Sequence, residues 1–200
     1  MIVSIMQPAY LPWLGYFHRI LSSDLLIVLD NVQLDTNSKT RFTNRNKVRT
    51  KEGWTWLTVP LKTKGKYGAL EINALETDES TRWQEKHGRT LSHCYTRTDY
   101  YAEHSAFFAA FYGKPWHLLN DAMNESTGYL LKHGFALETP CLYSTDLRIE
   151  GQKDDLILNM CMAVKATCYL SGPFGRDYLD ASKFRKAGIE LKFHDYQHPQ

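Results

Sequence analysis

Residues 1–30, MIVSIMQPAYLPWLGYFHRILSSDLLIVLD, decide the fold. Ile2–Met6 is apolar, Gln7-Pro8 and Pro12 break the run, and residues 13–21 place apolar side chains at helical spacing before Asp24 introduces the unbroken apolar stretch 25–29. A strand without alternation suits a parallel sheet covered on both faces, so the opening predicts β-α-β. The same grammar returns near the end. A helical stretch over 151–166 leads to a short strand over 167–171, the turn Gly172-Pro173-Phe174-Gly175, a helix over 176–187 stopped by Gly188, and a strand over 189–193. The expected fold class is α/β: one domain whose mainly parallel sheet is built from both ends of the chain. Between the ends, residues 47–61 predict a β-hairpin turning at Glu52-Gly53. Residues 78–134 predict two or three helices covering the sheet.

Composition narrows the function classes. The 200 residues are 43% hydrophobic and 23% charged, ordinary for a folded globular chain, and the longest apolar run is far short of the roughly 20 residues of a membrane helix. Residues 1–6 have no basic segment before Gln7-Pro8, so the N-terminus does not read as a secretory signal, and a cytoplasmic location is expected. Four cysteines without a CxxC pair read as reduced, mostly buried thiols, and no histidines form HExxH or another close ligand pair on a helix, so structural zinc and a metalloprotease are not expected. The formal charge of +2 argues against a dedicated nucleic-acid binder. The charge is unevenly spread, however. Residues 39–66 hold nine basic side chains against Glu52 alone, which makes the segment either an anion-attracting surface or a solvated loop.

In open α/β sheets ligands bind beyond the carboxyl ends of strands, so the residues just after each apolar run are the candidates. After the first come Gln7, Tyr10 and Trp13, at a rigid turn leading into a helix N-terminus. They either line a ligand site or serve as structural turn and core aromatics. After the second comes Asp30, as a base, a sugar-hydroxyl acceptor, a magnesium ligand, or a helix-capping or loop-fixing carboxylate. Arg45, Asn46 and Lys47 could grip phosphate. Ser171, Gly172, Arg176 and Tyr178 surround a small-residue turn able to cradle an anion. His87 shares a helix face with Trp83 and is either a proton carrier or a half-buried histidine.

The blocks QPAYLPWLGYFHRI (7–20), SDLLIVLDNVQL (23–34), NRNKV (44–48), GWTWLTVPL (53–61), WQEKH (83–87), YLSGPFGRDYLD (169–180) and GIELKFHDYQHP (188–199) resemble, in order, the WbqC-like family. Relatives continue beyond the His-Pro of the last block, so the C-terminus here reads as short. The resemblance implies a cytoplasmic component of surface-polysaccharide or specialised-metabolite biosynthesis that attaches an aminoacyl or acyl group to an amino sugar. It also implies a nucleotide-sugar or other amine substrate and an acyl or aminoacyl carrier protein as partner. No dedicated cofactor is implied beyond a phosphopantetheine-linked acyl donor. In that setting Arg45 and Lys47 would meet a diphosphate, Asp30 or His87 would take the amine proton, and Asn46 or backbone N–H groups would hold the oxyanion. The other reading is a non-catalytic module that binds a nucleotide sugar or carrier protein.

Overall fold

The computed structural model describes residues 1–34, 42–65 and 70–198. Lys39, Arg41 and Lys66 of the basic segment lie outside these residues. In chain order the elements are β1 (Ile2–Met6), α1 (Leu14–Leu21), β2 (Leu25–Val28), β3 (Arg45–Thr50), β4 (Gly53–Thr58), α2 (Trp83–Tyr95), α3 (Tyr101–Tyr112), α4 (Leu119–Tyr129), β5 (Cys141–Tyr143), α5 (Ser144–Leu147), α6 (Lys153–Ala163), β6 (Cys168–Ser171), α7 (Ala181–Lys186) and β7 (Glu190–Phe193). They fall into two compact units. The first comprises Met1–Gln7, Trp13–Asn31 and Leu130–Gln200, and the second Pro8–Pro12 and Val32–Tyr129.

The first unit is a five-stranded sheet in the order β5-β2-β1-β6-β7. Every neighbouring pair is parallel: Val3 stands opposite Leu25, Leu26 opposite Cys141, Ile2 opposite Cys168, and Cys168 opposite Glu190. The mainly parallel α/β sheet drawn from both chain ends is therefore present. Its two faces follow from side-chain alternation. Val3, Ile5 and Ile27 pack with Ile157 and Met160 of α6 and Phe184 of α7. The intervening Ser4 and Met6 face the other side, where Ser4 Oγ meets Ser23 Oγ at 2.7 Å and Met6 Sδ meets Arg19 of α1. Phe135 stacks on Phe17 of α1, centroids 4.4 Å apart. The strand order reverses direction between β1 and β6. In such doubly wound sheets that reversal opens a crevice at the carboxyl ends.

The second unit has its own core. β3 and β4 form an antiparallel hairpin with Asn46 opposite Leu57 and Arg49 opposite Trp54. Gly53 takes φ +131°, which favours glycine at the turn. Val48 and Leu57 point inward to Trp83 and Leu91 of α2, Phe111 of α3 and Leu119 of α4. The three helices share this core with the hairpin.

Three local differences from expectation have physical causes. β5 is a short, partly exposed strand without a long apolar run, and it was not anticipated. The helix expected over 176–187 starts only at Ala181, because Asp180 caps it by accepting from the Ser182 N–H at 2.8 Å. The stretch expected over 151–166 stops at Ala163, and Lys165 turns left-handed at φ 57°. Among the described residues no helix is long and apolar enough to cross a membrane.

Candidate active site

Because all five strands run the same way, Gln7, Asp30, Ser144, Ser171 and His194 each follow a strand or close it at one common edge. Asp30 is 4% exposed, and its two carboxylate oxygens have different surroundings. Oδ1 accepts from the Thr145 N–H at 3.0 Å and the Thr145 hydroxyl at 2.8 Å, with the Ser144 hydroxyl 2.9 Å away. Ser144 Oγ in turn accepts from the Asp30 N–H at 3.0 Å and lies 2.6 Å from Asn31 Oδ1. One oxygen thus ties the exit of β2 to the start of α5. Among the described residues nothing donates to Oδ2. A carboxylate fixed through one oxygen, with no donor on the other, keeps an acceptor for a proton or hydroxyl. Ser144 and Thr145, which hold it, have no motif that a linear reading would single out.

On the other side of β1, the turn leaving β6 carries the residues named from sequence. Ser171 is 1% exposed, and its carbonyl accepts from the His194 N–H at 2.8 Å. A Cβ on Gly175 would stand 2.1 Å from Ser171 Oγ, so only glycine lets this turn close. Tyr178 is exposed, and the Arg176 guanidinium sits over Phe193 with its carbon 4.7 Å from the ring centroid. Gln7 is exposed at the end of β1, and Trp13 packs edge-on against Tyr16 at 5.6 Å. Arg19, which the strand-end rule does not nominate, reaches this edge from the last turn of α1 and donates from Nε to Met6 Sδ at 2.7 Å. His18 Nδ1 and His194 Nε2 are 2.7 Å apart. Burial, then His18 and Arg19, hold His194 below its ordinary pKa.

Tyr10, Arg45, Asn46, Lys47 and His87 belong to the second unit. His87 is buried, its Nδ1 2.9 Å from Tyr10 Oη, which is itself 2.6 Å from Tyr112 Oη. The ring and the Tyr10 hydroxyl share this hydrogen bond, and the Tyr10 hydroxyl links it to Tyr112. Burial pushes the imidazole down to about 4. Tyr10→Phe keeps the ring packing but strands Nδ1 and the Tyr112 hydroxyl, and is expected to lower stability by about 1–3 kcal/mol in urea unfolding.

Asn46 is also inside: its amide donates to the Leu11 carbonyl, and its Oδ1 accepts from the Lys47 N–H at 2.7 Å. That bond holds Leu11, which takes a left-handed φ of 47°. Lys47 Nζ lies 3.7 Å from the Trp54 ring centroid, and Arg45 lies over Trp56 at 4.3 Å. Both cations therefore stack on aromatic faces. Among the described residues no group of three His, Cys, Asp or Glu side chains could hold a metal.

The sequence model of the WbqC-like protein family matches residues 7–200. Over 194 residues the chain is 30% identical to uncharacterized protein Rv1507c of Mycobacterium tuberculosis (strain ATCC 25618 / H37Rv), covering 97% of this chain and 82% of that protein. No solved structure matches.

Proposed function

Because this chain belongs to the WbqC-like protein family, we propose that it is an aminoacyl or acyl transferase that forms an amide on a nucleotide-linked amino sugar or similar amine. Surface-polysaccharide or specialised-metabolite biosynthesis is the setting. The observation carrying the reading is the half-engaged carboxylate of Asp30 at the carboxyl edge of the sheet. In the reaction the amine nitrogen bonds to the acyl carbon of a carrier-bound thioester and the carbon–sulfur bond breaks. Asp30 Oδ2 takes the proton lost by the amine, and the thiolate leaves to be protonated. Backbone N–H groups of the turn after β6 hold the oxyanion. His87, buried with Nδ1 beside the Tyr10 hydroxyl, positions Tyr10 and Tyr112.

A non-catalytic nucleotide-sugar or carrier-binding module is the second reading, favoured by the three hydrogen-bonding groups at Oδ1, which a purely loop-fixing aspartate would also have. Asp30→Asn separates the two. The asparagine oxygen can still accept from Thr145 and Ser144, so the fold is kept while the base is lost. The transferase reading expects purified protein, given an acylated carrier and a UDP- or dTDP-amino sugar, to consume amine. It expects the variant to be slower by roughly a hundredfold or more. No turnover by the native protein over a broad acyl panel, with nucleotide-dependent thermal stabilisation surviving in Asp30→Asn, would establish the module instead.

A further inference from the structure

Arg19 lies in a helix whose neighbouring positions Tyr16, Phe17 and Ile20 are buried, and its own side chain is half-buried. It extends along β1 to the end of that strand, where Nε donates to the Met6 thioether. A thioether is a weak acceptor, and among the described residues no oxygen accepts from the two Nη groups and no carboxylate pairs with the guanidinium. Tyr16, Tyr169 and Tyr178 are the titratable groups closest in its surroundings, all neutral, and His194 faces it as a second weak cation site. Desolvation accordingly pulls the guanidinium below the usual arginine range. A cation taken out of water without a counter-charge is costly, and such groups are normally paired.

The turn after β6 meets this side chain. Gly172 has φ −68° and ψ 165°, ordinary extended backbone that alanine would adopt equally well. The glycine matters in another way: a Cβ there would press on Arg19 Nη1, so the bare backbone lets the guanidinium tip lie directly against the turn. The guanidinium thus lies against the β6 turn on one side and Met6 on the other, at the point where the strand order reverses. That is where doubly wound sheets receive ligands.

We propose that Arg19, held between the carboxyl ends of β1 and β6 by Met6 and Gly172, is the binding site for the phosphate or diphosphate group of the substrate. The planar fork presents paired N–H donors matched to phosphate oxygens, and the anion supplies the counter-charge that the fold omits. The inference deepens the transferase reading by naming the chemistry its substrate must carry, and it rests on that reading only for the word substrate. The phosphate comes either from a nucleotide diphosphate or from phosphopantetheine.

The test is equilibrium binding by calorimetry, with no acyl donor present, using inorganic pyrophosphate, UDP and phosphopantetheine as three separate probes. Native protein is expected to bind at least one, and the probe bound best identifies the source. Arg19→Gln is expected to weaken that probe by roughly ten- to a hundredfold, the usual weight of charge-assisted hydrogen bonds. Arg19→Lys should recover only part of the loss, because an ammonium lacks the fork. Gly172→Ala displaces the flexible tip of Arg19 without backbone strain and should weaken binding with the fold intact. Since an unpaired half-buried charge is removed, Arg19→Met should melt no lower than native protein without ligand. Equal binding by native protein and Arg19→Gln, or no binding of any probe at millimolar concentration, overturns the site. Binding that depends on Arg19 in a protein without acyl transfer leaves the site standing and removes only the transferase.

Discussion

Acidification from pH 6.5 to pH 4 is expected to cost the protein on the order of 3 kcal/mol through His87 alone, a shift from an unfolded value near 6.5 to about 4 in the native state. The native pKa is the lower one, so the unfolded chain binds the proton more tightly. The contribution is fully present above pH 6.5, declines as pH falls through this window, and is exhausted below about 4. The cause is burial of the ring first; the Thr58 backbone acts the other way, and the Lys86 charge adds a smaller push downward. Protonating the ring also removes Nδ1 as an acceptor in the Tyr10–Tyr112 chain. His194 is shifted in the same direction and adds to the slope. Urea midpoints measured across this pH range on native protein and His87→Gln separate the two, since the variant should keep only the shallower dependence. Should the variant prove too unstable, an NMR titration of the His87 ring in native protein decides: a midpoint at or above 6 would refute the buried neutral imidazole.

Phe184→Ala is expected to cost about 3–5 kcal/mol, the usual range for emptying a fully buried aromatic site. Phe184 is 0% exposed and stacks on Tyr169 of β6, centroids 5.7 Å apart and planes within 15°. α7 is only six residues long and has little stability of its own, so Phe184 is its principal hold on the sheet. β7 follows directly, and its Glu190 N–H donates to the Thr167 carbonyl. A lowered urea midpoint with unchanged slope is the expected result. A loss under 1 kcal/mol would mean that the site collapses around the void.

Much of the first unit was legible because parallel strands buried on both faces must be apolar throughout, as residues 25–29 are. β5 was not legible: its three residues are partly exposed, and only pairing with Leu26 to Val28 makes them a strand. The division into two units was also hidden. Periodicity shows that residues 83–95 have an apolar face, but not whether that face meets the sheet or Val48 and Leu57. Asp30 was found because the strand-end rule points at it. Arg19 escaped the same rule, since its Cα lies in the last turn of a helix and its long side chain brings the guanidinium to the edge. The available signal was the pairing of a basic residue among buried helix positions with Gly172. In sequence that glycine reads as a flexible turn residue; in space it makes room for a side chain.

The strand order also governs the sequence of events during translation. β1 and β2 leave the ribosome first, yet three of the five strands are encoded after residue 140. The intervening segment, residues 32–129, emerges with its own apolar interior, to which the already synthesised Tyr10 contributes. A nascent chain arrested shortly after Tyr129 therefore holds every residue of one unit and only a two-strand fragment of the other. The early strands must remain soluble through the synthesis of about a hundred further residues, an interval in which chaperone engagement would fall on residues 2–28.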